Sequence, residues 1–191
     1  MIKVAITGNL GSGKSIIAQI FEVLGAPIYR ADDEAKKFLT DREVVRRLVN
    51  GFGDDILLDG QIDRKKLASI VFNDSEALRF LNRTVHPLVK SDLRKWINRH
   101  LNYSYIIQEA AILFESGFDK EFDKIVVVAC PVETAIKRVM ERDHVKREAV
   151  VSRMQNQWPQ EEKIKRADYI IHNDGEQLVI PQVLKIHHDL T

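Results

Sequence analysis

The sequence predicts a three-layer α/β fold built around a five-stranded parallel sheet. Runs of β-branched and apolar residues alternate along the chain with segments of helical spacing, which is the pattern of a parallel sheet joined by crossover helices. Two late runs, Ile125–Cys130 and Tyr169–His172, are almost free of polar residues, as expected when both faces of a sheet are covered. A glycine-rich turn separates the first apolar run from the first helical segment.

The five predicted strands are short and lie far apart in the sequence. They are Ile2–Ile6, Ala26–Tyr29, Tyr103–Gln108, Ile125–Cys130 and Tyr169–His172. The first predicted helix runs from Ser15 to Leu24, and Gly25 ends it. Two helices rich in charged residues follow the fourth strand, at Val132–Asp143 and Lys146–Asn156, and a last helix follows the final strand.

Residues 33–101 differ from the rest because they contain no convincing strand. Their apolar residues follow helical spacing, and Pro87 interrupts them, so the pattern predicts two helices that meet near His86 and Pro87. We interpret residues 33–101 as a helical lobe inserted between the second and third strands. The 191 residues then form a single domain with an insertion, since a typical domain has roughly 150 residues.

Composition excludes several classes of protein. Hydrophobic residues make up 45% of the chain and charged residues 30%, as in an ordinary globular protein. Because 29 basic side chains face 28 acidic ones, binding to nucleic acid has no electrostatic support. The longest apolar run, Ile125–Pro131, is far shorter than the roughly 20 residues of a membrane span. With no signal peptide and Cys130 as the single cysteine, we expect a cytoplasmic protein that contacts no membrane.

Residues 8–15 match the phosphate-loop motif G-x-x-x-x-G-K-[ST] in full, between a strand and a helix. Glycines let backbone N–H groups turn towards a phosphate, and the helix N-terminus adds unpaired donors. Lys14 can reach the β- and γ-phosphates, and Ser15 can bind Mg²⁺ through its hydroxyl. The predicted nucleotide-binding residues are Gly8, Asn9, Leu10, Gly11, Ser12, Gly13, Lys14, Ser15 and Ile16. The motif alone does not distinguish a kinase from a GTPase or an ATPase.

The rest of the chain favours a kinase that acts on a small molecule. The guanine-specific motif Asn-Lys-x-Asp is absent, and the chain is too short for a motor ATPase. A helical lobe can hold an acceptor, while an arginine-rich lid can bring charge to the transferred phosphoryl group and exclude water. We place the lid at residues 137–157. Arg138 and Arg142 share a helix face there and are predicted to be catalytic, the alternative being an ordinary charged face.

With these features in place, the chain resembles the dephospho-CoA kinase family, part of the nucleoside-monophosphate-kinase-like P-loop group. The resemblance covers nearly the whole chain, and its most specific parts are Val85-His86-Pro87 and Leu113-Phe114-Glu115. Further matching positions are Ala31-Asp32, Phe52-Gly53, Asp59-Gly60, Asp63-Arg64, Val71-Phe72, Glu109, Arg138, Arg142-Asp143, Arg153, Gln157, Lys163, Ala167–Ile171 and Asn173–Gly175.

This resemblance implies a P-loop kinase fold and an ATP-dependent phosphorylation of the ribose 3′-hydroxyl of dephospho-CoA, with ATP and Mg²⁺ as cofactors. A nucleoside or nucleotide kinase is the alternative within the same class. A nucleotide-dependent switch without turnover is the alternative outside it, although the lid arginines argue against a switch. We expect a monomer or a small homo-oligomer.

Asp32 follows the second strand, near the edge of the sheet where ligands bind in α/β folds. It is predicted to accept the proton of the acceptor hydroxyl or to hold that hydroxyl in line. A helix N-cap is the alternative. The sequence departs from the family pattern nearby, since Arg30 stands where the first aspartate of Asp-Ala-Asp is usual and Lys36 replaces an arginine.

The remaining candidates extend the acceptor and nucleotide sites. Arg64 suits a phosphate of the acceptor, although the residues alone favour a solvated charge at a helix start. His86 is predicted to contact a ligand, with a buried histidine that orients a helix junction as an equal alternative. Glu109 follows the third strand, where a carboxylate can bind Mg²⁺ through water. The resemblance adds Phe114 and Glu115 as acceptor contacts and places the turn at Asn173 beside the adenine.

Overall fold

The computed structural model of the protein describes residues 1–72 and 74–191, and these form two compact units. The first unit consists of Met1–Arg30 and Ile97–Thr191, and the second consists of Ala31–Trp96. Among the described residues, no helix is both long enough and apolar enough to cross a membrane.

A parallel sheet forms the centre of the first unit. Numbered in chain order over the whole protein, its strands are β1 (Ile2–Thr7), β2 (Ile28–Arg30), β5 (Tyr105–Glu109), β6 (Lys124–Ala129) and β7 (Tyr169–His172). They lie in the order β2-β5-β1-β6-β7, and every neighbouring pair is parallel. The predicted five-stranded parallel sheet is therefore confirmed. Strand β1 is central, with later strands added on both sides of it, and such a switch point is where α/β sheets bind ligands at their carboxyl ends.

Helices and loops cover both faces of this sheet. The helices of the first unit are α1 (Lys14–Val23), α6 (Val132–Asp143), α7 (Arg147–Met154), α8 (Gln160–Ile164) and α9 (Val179–Leu190). Alternate residues of β1 point to opposite layers: Ile6 packs with Phe21 and Ile186, whereas Ala5 packs with Leu113 and Val127. Burying each of these large apolar side chains contributes roughly 1.5–3 kcal/mol, so the sheet is held from both sides.

The second unit is mainly helical. It contains α2 (Ala31–Phe38), α3 (Arg42–Phe52), α4 (Arg64–Val71) and the greater part of α5 (Ser75–Asn98). Three aspartates fix where helices begin: the side chain of Asp41 accepts hydrogen bonds from two N–H groups of α3, that of Asp63 from two of α4, and that of Asp74 from two of α5. Such N-caps are worth about 1 kcal/mol each.

The prediction that Pro87 separates two helices was wrong, because α5 runs without a break from Ser75 to Asn98. A proline inside a helix costs about 3 kcal/mol. Here Pro87 is exposed, while Val85, Val89 and Leu93 are buried at successive four-residue intervals. The same helix face is therefore buried on both sides of the proline, and that burial exceeds the cost of the lost hydrogen bond.

The prediction of no strand in residues 33–101 was also wrong. A small hairpin joins β3 (Leu57–Leu58) to β4 (Gln61–Ile62), with Leu57 opposite Ile62. Asp59 and Gly60 form its turn, and both have positive φ values, of 51° and 76°. Asp-Gly is a strong signal for such a turn. The two-residue strands were too short to show an alternating pattern.

Candidate active site

The phosphate loop connects β1 to α1 and has the backbone shape that its glycines allow. Gly11 and Gly13 adopt left-handed φ values of 80° and 87°. The backbone N–H groups of Gly13, Lys14 and Ser15 have no acceptor among the described residues. These donors lie at the N-terminus of a ten-residue helix, which also carries a partial positive charge. The loop is therefore suited to bind phosphate oxygens.

Gly11 and Gly13 cannot carry a side chain without moving their surroundings. A Cβ on Gly13 would lie 2.2 Å from the side-chain nitrogen of Asn173, and one on Gly11 would lie 2.4 Å from the carbonyl oxygen of Ala135. The amide of Asn173 also donates to the carbonyl oxygen of Ser12 at 2.8 Å. The turn after β7 and the start of α6 thus support the loop from outside.

Lys14 and Ile16 occupy opposite environments within the first turn of α1. Lys14 is only 9% exposed, although its side chain is charged, whereas Ile16 is 60% exposed. An ammonium group at this depth is costly to bury without a partner. A polyphosphate bound at the loop would supply the negative charge that the Lys14 ammonium lacks there.

Ser15 and Glu109 come together at the carboxyl end of the sheet. The hydroxyl of Ser15 donates to a carboxylate oxygen of Glu109 at 3.0 Å. Glu109 is the last residue of β5, lies in register with Ile6 of β1 and Arg30 of β2, and is only 6% exposed. Glu109 is therefore a buried carboxylate rather than a surface one. A hydroxyl and a carboxylate are hard oxygen donors of the kind that Mg²⁺ prefers.

Glu115 and Phe114 lie in a cluster beneath the loop. Phe114 is 5% exposed and stacks on Trp158, with 5.8 Å between the ring centroids. Glu115 accepts a hydrogen bond from the backbone of Trp158 at 2.7 Å and forms a 2.9 Å ion pair with Lys163, whose side chain is fully buried. Sequence reasoning gave no role to Lys163 beyond its place in the family pattern, because it stands in a run of charged residues typical of an exposed helix.

The two lid arginines have different partners. Arg138 donates to the carbonyl oxygen of Asn173 at 3.0 Å and to the sulfur of Cys130 at 3.4 Å. Arg142 binds the carboxylate of its neighbour Asp143 through two nitrogens, at 2.7 and 3.1 Å. The structure thus brings Arg138 to the turn beside the phosphate loop but leaves Arg142 exposed on an ion pair.

Asp143 is held in its charged form by two arginines. The hydrogen bond from Arg142, followed by that from Arg153, lowers the pKa of Asp143 to about 2. The Arg153 nitrogen lies 2.9 Å from the same carboxylate. The side chain of Arg142 is 61% exposed, so a phosphate can reach its guanidinium and compete with Asp143 for it.

In the second unit, Asp32 lies in the first turn of α2 and is exposed. The helix begins one residue earlier, at Ala31, so the N-cap alternative for Asp32 was wrong. The charge of Asp32 acts on His86, where it raises the pKa. Burial of His86 has the larger and opposite effect, so the pKa of this imidazole is lowered overall. His86 is accordingly neutral at pH 7 and can offer a hydrogen bond but no charge.

Arg64 begins α4 and remains largely exposed. One of its nitrogens donates to the carbonyl oxygen of Lys36 at 3.2 Å, which leaves other donors of the guanidinium directed elsewhere. A groove of about 340 Å³ lies in the same unit, between α3 and the hairpin. Its lining combines apolar and basic side chains, namely Leu39, Val45, Val49, Arg42 and Arg46 together with Thr40, Asn50, Gly60 and Gln61.

Residues 2–178 match the model of the dephospho-CoA kinase family. The chain belongs to this family. The dephospho-CoA kinase of Bacteroides fragilis is 38% identical over 186 residues, which cover 97% of this chain and 91% of that protein. The expected ATP-dependent kinase class is thereby confirmed.

Solved structures support the same family and confirm the P-loop kinase fold. The crystal structure of TT1252 from Thermus thermophilus has a TM-score of 0.87 and 35% identity, covering 100% of this chain and 98% of that one. The dephospho-CoA kinase from Campylobacter jejuni has a TM-score of 0.71 and 29% identity, with coverage of 98% and 96%.

Proposed function

We propose that this member of the dephospho-CoA kinase family transfers the γ-phosphoryl group of ATP to the ribose 3′-hydroxyl of dephospho-CoA. The products are CoA and ADP, so the reaction is the last step of coenzyme A biosynthesis. The observation that carries the proposal is the pairing of Ser15 with Glu109 beside the unpaired N–H groups of the phosphate loop. The identity of the acceptor rests on the family.

The nucleotide is bound by the first unit. Backbone N–H groups of Gly13, Lys14 and Ser15 bind the phosphates, and the Lys14 side chain stabilises the charge that develops on the transferred group. Asn173 lies against Gly13 and Ser12, which is consistent with an adenine bound near the turn after β7.

Ser15 and Glu109 fit a Mg²⁺ ion, because a hydroxyl and a buried carboxylate already lie 3.0 Å apart at the mouth of the loop. A Mg²⁺ ion there would neutralise charge on the β- and γ-phosphates. The described residues contain no group of three or more His, Cys, Asp or Glu side chains able to hold a metal, and Mg²⁺ commonly takes one or two carboxylates plus phosphates and water.

The acceptor is bound by the second unit, for which we propose residues 33–101 as the acceptor lobe. Asp32 accepts the proton of the 3′-hydroxyl, and the hydroxyl oxygen then bonds to the γ-phosphorus as ADP leaves. Arg64 offers donors to the pyrophosphate of dephospho-CoA, while neutral His86 positions the acceptor by hydrogen bonding. The groove beside Arg42 and Arg46 has room for part of an amphipathic arm.

Phe114 and Glu115 were expected to touch the acceptor directly. Both are largely buried, with the Glu115 side chain 13% exposed, so only an edge of this pair can meet a ligand. We propose that residues 137–157 act as the lid and that Arg138 and Arg142 approach the phosphates when it closes. The enzyme is proposed to work in the cytoplasm as a monomer or small homo-oligomer.

The main alternative is a nucleoside or nucleotide kinase, and a non-catalytic switch is the alternative from another class. A coupled assay of ADP release separates them. We expect ADP release that depends on dephospho-CoA, with CoA as the second product by chromatography, and none with nucleoside monophosphates or nucleosides. Turnover of a nucleotide but not of dephospho-CoA would show a nucleoside or nucleotide kinase instead. ATP binding without turnover of any acceptor would support a non-catalytic switch.

A further inference from the structure

Lys163 is a cation in a place where a protein interior normally has an apolar side chain. It lies in α8, its side chain is 0% exposed, and its nitrogen is 2.9 Å from the Glu115 carboxylate and 3.4 Å from the carbonyl oxygen of Ala111. Burial lowers the pKa of Lys163, and the Glu115 carboxylate opposes that effect. A buried ion pair is often no more stabilising than an apolar pair of the same volume, so its contribution to folding does not account for it.

The partners of Lys163 also hold the segment that links the lid to α8. The oxygen of Glu115 that pairs with Lys163 accepts the backbone N–H of Trp158 at 2.7 Å. The carbonyl oxygen of Ala111, which Lys163 approaches, accepts the side-chain N–H of Gln157 at 3.1 Å. One buried cation therefore organises both acceptors that fix Gln157 and Trp158.

Gln157 and Trp158 in turn hold the first half of the phosphate loop. The side-chain oxygen of Gln157 accepts the backbone N–H of Leu10 at 2.8 Å. The side chain of Asn9 donates to the carbonyl oxygen of Trp158 at 3.3 Å. Asn9 and Leu10 belong to the phosphate loop itself. The orientation of the other N–H groups of the loop therefore depends on the position of Gln157 and Trp158.

We propose that Lys163 is a positioning residue for the nucleotide. Together with Glu115 it fixes Gln157 and Trp158 against Asn9 and Leu10 in the first half of the loop. The position of this half sets the direction of the N–H groups in the second half, which meet the phosphates of ATP. This proposal rests on the proposed binding of ATP at residues 8–15. The loop contacts these phosphates both in the bound ground state and in the transition state. Weaker contacts should therefore lower the affinity for ATP more than they lower the rate of the chemical step.

Lys163→Met tests the proposal, with Lys165→Met as the matched control because Lys165 is exposed and forms a salt bridge with Glu162 at the surface. We expect Lys163→Met to raise the KM for ATP by roughly tenfold, as for the loss of one good hydrogen bond, with a smaller change in kcat and an unchanged KM for dephospho-CoA. Calorimetry with ATP alone should show the same loss, whether or not dephospho-CoA proves to be the acceptor. Lys165→Met should behave like the unaltered protein.

Two further variants separate positioning from stability. In Lys163→Met/Glu115→Gln neither member of the pair is charged, so folding should recover, as thermal melting would report, while the ATP affinity stays low. Gln157→Leu removes the contact with Leu10 and should reproduce the selective rise in KM without touching the ion pair. Normal ATP affinity in a folded double variant, or in Gln157→Leu, would overturn the proposal, and so would an equal fall in kcat and ATP affinity.

Discussion

Individual residues at the phosphate loop act through charges that the fold holds in place. Lys14 is nearly buried at the start of α1, and Ser15 beside it is already paired with Glu109. Neither side chain has to search for its position when a nucleotide arrives, which reduces the entropy lost on binding. Single-residue variants at these positions therefore report the contribution of one side chain to catalysis, because the backbone around it stays fixed.

We expect Lys14→Ala to lower kcat by about 10²–10³, because it removes one preorganised charge from the developing phosphate charge. Circular dichroism should show a folded protein. Lys185→Ala, which removes an exposed charge from α9, serves as the control and should leave kcat unchanged. A folded Lys14→Ala variant with nearly normal kcat would show that this lysine has no part in the transfer.

Asp32→Asn should lower kcat by about 10²–10⁴ while ATP affinity stays intact, since the substitution keeps the shape and removes only the proton acceptor. The neighbouring Asp33→Asn is a close control, because Asp33 is exposed and paired with Lys36. Calorimetry measures ATP binding separately from turnover. If Asp32→Asn loses ATP binding instead, Asp32 belongs to the nucleotide or metal site.

How well a residue's role could be predicted depends on whether its signal is local. The roles of Lys14 and Ser15 follow from a contiguous motif, and that of Glu109 from the end of an apolar strand. Lys163 had no comparable signal, because a lysine among Glu161, Glu162 and Lys165 has the sequence pattern of an exposed helix. Its burial is decided by distant residues after β5, which a local pattern does not reveal.

At the scale of elements, the strands also had a local signal in the sequence, whereas two of the helices depended on tertiary packing or were too short to show one. Apolar runs predicted β6 and β7 within a residue or two. Strand β6 is apolar because it is buried on both faces. Strand β7 lies at the edge of the sheet and buries only Ile171, so the expectation that both of its faces are covered was wrong. The unbroken α5 was missed, because a local rule about Pro87 was outweighed by the burial of a long helix face. The helix α8 was missed because its five residues are too few to show a period.

The proposed lid, residues 137–157, contains the second half of α6 and the whole of α7. Ile136, Val139 and Val150 form a buried cluster against which Leu10 also packs. His144, between the two helices, has a left-handed φ of 52°, which is uncommon for a residue other than glycine. The proposed lid therefore has an apolar attachment to the loop and a left-handed residue between its two helices.

We expect ATP together with dephospho-CoA to slow hydrogen exchange in residues 137–157 more than in any other segment, since closing contacts form only with both ligands. Arg142→Ala should then lose more in kcat than in ATP affinity, because the arginine leaves Asp143 only in the closed state. Lys137→Ala, on the exposed side of the same helix, is the control. Equal exchange with and without ligands would rule out a closing lid, and a loss of ATP affinity at unchanged kcat would make Arg142 a ground-state contact.

At the scale of the whole molecule, the chain separates its two proposed ligands between two compact units. The first unit contains the phosphate loop and its supports, and the second contains Asp32, Arg64 and His86. A net charge of +1 gives no general attraction for polyanions, so recognition of each phosphate group has to be local. Binding of each ligand should then leave a separate signature in the exchange of the unit that receives it.

Hydrogen exchange with one ligand at a time tests this division. ATP alone should protect peptides that cover residues 8–15, because its phosphates occupy the free N–H groups of the loop. Dephospho-CoA alone should protect peptides of Ala31–Trp96, especially near Asp32, Arg64 and the groove between α3 and the hairpin. AMP shares the adenosine part of the acceptor but lacks its long arm, so it should leave α3 unprotected. Protection of α3 by AMP would favour a nucleotide kinase, and protection by dephospho-CoA confined to the first unit would remove the acceptor site from the helical unit altogether.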